Sequence, residues 1–148
     1  MTRIAIRSRG LLLATVLALS GCGGGGDDEI HLHAIEIGAL VNGQPLAGVD
    51  VLAGMRQTIF IAAGQSFELE ATHPVAWTVS VGGSIIPGAG NTISSGGISV
   101  RETLITDFQF AANTFATSPL PTSLQITLDA TSLEDPSQVA TVDVVVRN

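Results

Sequence analysis

Lysine and tyrosine are absent from this sequence, cysteine and tryptophan occur once each, and its longest apolar stretch is too short to cross a bilayer. Each absence excludes something. With Cys22 as the single cysteine, no disulfide can form within the chain, so any folded body must rest on its apolar core. The 119 residues from Ile30 to Asn148 suffice for that, since a domain of this size buries roughly two-thirds of the surface its unfolded chain exposes. Without lysine, the basic residues are six arginines, three of them among the first nine positions. From residue 22 onward, three arginines face 13 acidic residues, a formal net charge of −10. Such a surface repels nucleic acid and anionic headgroups, leaves cations and neutral partners open, and serves solubility. What is plentiful is Val, Ile, Thr, Ser and Gly, a usage that favours strands and turns over long helices.

Arg3, Arg7 and Arg9 precede a nine-residue apolar or near-apolar run, Leu11–Leu19. A permanent span of a hydrocarbon layer about 30 Å thick needs around 20 such residues, so the run reads as a signal peptide instead. It ends in Leu19-Ser20-Gly21-Cys22, and this tetrapeptide resembles the lipobox of bacterial lipoproteins. The resemblance implies that Leu19, Ser20 and Gly21 are read by the processing machinery. It also implies that Cys22 becomes the first residue of the mature chain and carries a diacylglycerol thioether, usually with an amide-linked acyl chain. Two or more acyl chains give lasting membrane attachment, at about 0.8 kcal/mol per buried methylene. Gly23, rather than aspartate, follows the cysteine, which by that family's rule implies the outer membrane of the bacterial envelope. Three segments follow: a signal peptide at 1–21, an acylated cysteine with a glycine-rich acidic linker at 22–29, and a domain at 30–148. In the linker, Gly23–Gly26 has no side chains to order it, and Asp27, Asp28 and Glu29 repel an anionic bilayer.

Beyond Ile30 the apolar period is two. His31–Val41 reads as a first strand, closed by the Asn42-Gly43 tight-turn signal with Pro45–Gly48 continuing the turn. Val49–Leu52 and Thr58–Ile61 read as short strands. Phe67, Leu69 and Ala71 alternate with Glu68 and Glu70, and Trp77, Val79 and Val81 alternate with Thr78 and Ser80, as strands with one wet face do. Residues 84–97 read as a loop holding a weak edge strand around Ile85-Ile86. Ile98–Ile105 is a further strand, and Phe108, Phe110 and Phe115 read as core-filling side chains. Leu124–Ala130 and Val139–Val146, joined by the turn at Ser132–Ser137, predict a closing hairpin. Seven or eight short strands in one domain predict an all-β, antiparallel sandwich. Trp77 and the stretch Leu124–Val146, with its Ala130–Ser137 connection, resemble the immunoglobulin-like modules of bacterial surface proteins. The likeness covers Ser66–Val146, without an inter-sheet cysteine pair and without the tyrosine of a tyrosine corner.

No reaction is legible in the residues. His31 and His33 share a strand face and could hold a metal with His73 or a carboxylate, but no spacing rule brings the third ligand to them. Serines in Gly82-Gly83-Ser84 and Ser95-Gly96-Gly97 lack a nucleophile-elbow context, and Glu68 and Glu70 read as the wet side of a sheet. No cofactor and no catalytic residue is assigned. The expectation is a non-catalytic, lipid-anchored envelope protein, a binding or structural module held to the membrane through Cys22, with an envelope protein or glycan as partner and no role for nucleic acid. Two other classes are distinguishable from it. One is a calcium- or carbohydrate-binding adhesin module using Asp107, Asp129, Glu134 and Asp135. The other is a small envelope enzyme or accessory subunit, which requires His31, His33 or His73 to gather with acidic residues.

Overall fold

The computed structural model describes residues 34–86, 90–120 and 122–148. Leu19, Ser20, Gly21 and Cys22, together with His31 and His33, lie outside the described residues. Within these described residues, alternating side chains and frequent turns produce eleven strands: β1 (Glu36–Val41), β2 (Gln44–Leu52), β3 (Arg56–Ala62), β4 (Ser66–Ala71), β5 (Val75–Val81), β6 (Ser84–Ile86), β7 (Thr92–Ser95), β8 (Ile98–Ile105), β9 (Gln109–Ala116), β10 (Ser123–Ser132) and β11 (Val139–Arg147). Among the described residues there is no helix.

Two sheets form, ordered β2-β1-β4-β9-β8-β7 and β3-β11-β10-β5-β6. Labelling β1, β4, β5, β8, β9, β10 and β11 as strands A to G gives A-B-E-D in the first sheet and G-F-C in the second. That is the immunoglobulin connectivity. The other four strands lengthen the edges, which is why the count exceeds the seven or eight expected. Every pairing is antiparallel except one: β3 runs parallel to β11, from Thr141↔Arg56 to Arg147↔Ala62.

The core lies between the inner faces. Ile37, Phe67, Leu69, Val100 and Phe110 from the first sheet meet Ile59, Val79, Ile126, Leu128, Val142 and Val144 from the second, all buried. Each such side chain contributes on the order of 1.5–3 kcal/mol by leaving water. Phe110 is at the centre, its ring centroid 5.9 Å from that of Phe67 and 6.2 Å from that of Trp77. Thr114 is a buried hydroxyl with its needs met. It donates to the Gln65 carbonyl at 2.8 Å and accepts from the Gly64 amide at 3.1 Å, fixing the β3–β4 turn against β9.

Three sequence expectations change. Pro45 lies inside β2 rather than in a turn, opposite Leu40, because β2 is an edge strand where a missing N–H costs no ladder bond. Residues 92–95 form an edge strand where a loop was expected. Of the three phenylalanines read as core, only Phe110 is buried; Phe108 and Phe115 are about half exposed. The cause is the parity of β9, which turns Phe110, Ala112 and Thr114 inward and Phe115 outward, while Phe108 sits in the turn before it.

Candidate functional site

The outer face of the second sheet carries the most organised polar surface. Odd-numbered residues of β10 and β11 point there, since their even-numbered neighbours fill the core. The parallel pairing of β3 brings Arg56 alongside, and its guanidinium grips Asp143 at two points, Nε to Oδ2 at 2.6 Å and Nη2 to Oδ1 at 2.8 Å. Thr127, directly opposite Asp143 in the ladder, donates its hydroxyl to Oδ1 at 2.6 Å. One row away, the Thr141 hydroxyl donates to Asp129 at 2.6 Å. The Arg56 hydrogen bonds hold the Asp143 carboxyl below the usual carboxylate range, against the opposing effect of burial. Beside this network, Arg56, Thr127, Gln125, Ser123 and the Gly82-Gly83 turn line an open depression of about 490 Å³. It is polar and shallow, so it suits a neutral polar group of a partner better than an apolar ligand. On the same face Arg147 stacks over Phe60, with its guanidinium carbon 4.3 Å from the ring centroid.

The other sequence candidates fall apart in space. Glu68 and Glu70 share the outer face of the first sheet, bridged by the Gln109 amide at 2.9 and 3.2 Å. That bridge engages both carboxylates as hydrogen-bond acceptors on the wet face of the sheet. Asp107 lies in the β8–β9 turn and Asp129 on β10, while Glu134 and Asp135 lie in the β10–β11 turn. Asp135 accepts from the amide and hydroxyl of Ser137, which lower its pKa and close that turn. His73, in the β4–β5 turn, makes a 3.0 Å contact from Nδ1 to the Thr72 hydroxyl. Among the described residues no three His, Cys, Asp or Glu side chains stand close enough together to hold a metal ion. Trp77 packs inward beside Phe110 and forms no exposed platform for a sugar ring.

Sequence reasoning missed Glu102. It lies on the inward parity of β8, 3% exposed, opposite Ala112. Its carboxylate oxygens are buried without a well-formed hydrogen bond, although the backbone amides of Asn91 and Gly90 stand near enough to favour the charged form. Burial wins, and the pKa is raised. The signal was present as a charged residue on the apolar parity after Ile98 and Val100. Arg56–Asp143 was also missed, because 87 positions separate its partners in the chain.

Comparison with protein-family models, curated proteins and solved structures finds no match to this chain.

Proposed function

We propose that this protein is a non-catalytic lipoprotein of the bacterial envelope, acylated at Cys22, whose immunoglobulin-like domain acts as a binding or structural module. The observation that carries the reading is Leu19-Ser20-Gly21-Cys22 placed directly behind a basic segment and a short apolar run. Gly23 after the cysteine favours the outer membrane. In support of a non-catalytic role, four acidic side chains of the outer faces are engaged in structural pairs: Asp143 with Arg56 and Thr127, Asp129 with Thr141, Glu68 and Glu70 with Gln109. The partner surface we assign is the depression beside Arg56, Gln125 and Gly82-Gly83, which offers fixed donors and acceptors to a neutral protein or glycan group.

Mass spectrometry of the mature amino terminus tests the anchor. The expected species begins at Cys22 and carries a thioether-linked diacylglycerol; a chain beginning at Met1 with a free thiol overturns the proposal. Cross-linking from the depression in intact envelopes then tests the module. Repeated recovery of one envelope component supports it, and recovery of none argues against a binding role.

A further inference from the structure

We propose that the end of the sandwich where the chain enters the domain rests on the bilayer, with Met55, Phe108 and Leu133 seated among neutral lipid headgroups. This builds on the reading of Cys22 as the lipid anchor. Four connections meet at that end: β2–β3, β4–β5, β8–β9 and β10–β11. Backbone hydrogen bonds join them into one surface. Ala53 donates to Ile35, Gly54 to Val139, Ala71 to Phe108, Val75 to Asp107 and Leu133 to Pro74. The Ile35 amide also donates to the Gln138 side chain, so the first strand rises from the middle of this end. Three of the four connections each present one large apolar side chain to solvent: Met55 (53% exposed), Phe108 (48%) and Leu133 (52%). Leu52, at the end of β2, adds a fourth at 44%. At the opposite end, among the described residues, the connections present Leu120 (66%), and Ile85 and Phe115 are exposed on the strands beside them, so exposure alone does not distinguish the two ends.

The length of chain before the domain selects the occupant. Eleven residues separate Cys22 from Ala34, a length of chain that spans at most about 40 Å when fully extended. The ten residues of β10 run the length of the sandwich, about 33 Å. A bilayer holding Cys22 therefore meets the Met55–Phe108–Leu133 end without stretching the tether, whereas the other end requires it almost fully extended. A tether this short keeps that end at a local concentration in the millimolar range, so side chains too few to bind the free domain to lipid suffice once it is anchored. Charge narrows the lipid. Asp107, Glu134 and Asp135 flank the apolar tips, and Asp27, Asp28 and Glu29 sit in the tether, so anionic headgroups are repelled while zwitterionic ones are not. In this posture the depression beside Arg56 stands on the side of the module, open to a partner.

The experiment uses residues 22–148, which contain every strand and all of the core found among the described residues. Cys22, the only thiol, is coupled to a maleimide-bearing lipid in phosphatidylcholine vesicles. Phe108→Trp and Leu120→Trp report the two ends, each read against the parent protein, which carries only Trp77. Brominated phosphatidylcholine is expected to quench the added fluorophore of Phe108→Trp at least twofold more than that of Leu120→Trp. Adding Met55→Asp and Leu133→Asp to Phe108→Trp should roughly halve the quenching, as should including about 25% phosphatidylglycerol at low salt. Equal quenching at both ends, or more at position 120, overturns the docked orientation while leaving an acylated Cys22 intact. A native amino terminus other than acylated Cys22 overturns the anchor and the docking with it.

Discussion

Asp143 and Glu102 are both buried carboxylates, and they affect stability with opposite sign. Asp143 has Arg56 and Thr127 as partners, and its folded-state pKa is lowered chiefly by the Arg56 hydrogen bonds. Its contribution is therefore complete above the ordinary carboxylate range and is lost as pH falls through that range and below. Glu102 is raised by burial, so stability is greatest when both states are protonated and declines as pH rises through the folded-state value. Urea unfolding at pH 7 and at pH 3.5 checks both. Asp143→Asn should cost about 1–3 kcal/mol at pH 7, because the carboxylate charge and one of its two acceptor oxygens are lost to Arg56 and Thr127, and less at pH 3.5. Glu102→Met should stabilise at pH 7 and lose that advantage at pH 3.5. A Glu102→Met effect independent of pH would show that lost packing rather than charge controls the site.

At the scale of elements, turns set register, and two glycines show how. Asn42 and Gly43 both have positive φ, 50° and 72°, which matches a tight β1–β2 hairpin turn. An added Cβ at Gly43 meets nothing within 4 Å, so Gly43→Ala carries only the backbone penalty, about 1–2 kcal/mol. Gly97, in the β7–β8 turn at φ +84°, is different: a Cβ there would stand 2.4 Å from the Ser118 Cβ. The Thr117 amide also donates to the Gly97 carbonyl at 2.7 Å, so the β7–β8 turn and the chain leaving β9 hold each other. Gly97→Ala should thus destabilise more than Gly43→Ala in thermal melts, and Gly97→Ala combined with Ser118→Gly should recover part of the difference. Equal losses would mean that the contact with Ser118 relaxes freely.

For the whole molecule, a net charge of −10 from residue 22 onward makes the compact state repel itself. Raising sodium chloride from about 20 mM to 200 mM shortens the Debye length from about 20 Å to about 7 Å and screens this repulsion, so the urea midpoint of residues 22–148 should rise. A fall would mean that pairs such as Arg56–Asp143 outweigh the general repulsion. The amino-acid sequence alone determined the parts whose cause is local. A period of two marked most strands and the face each presents to the core, Asn42-Gly43 marked a hairpin, and the residues around Cys22 marked the expected anchor. The tertiary structure decided what depends on partners distant in the chain. It set β3 parallel to β11, made an edge strand of β7, and brought Arg56 onto Asp143. It also turned Phe110 inward and Phe115 outward, which irregular spacing of phenylalanines could not reveal because Ala112 and Thr114 occupy the inward positions between them. Alternation follows from the geometry of a single extended backbone, whereas pairing is chosen by hydrogen bonds and packing between segments that only the folded chain brings together.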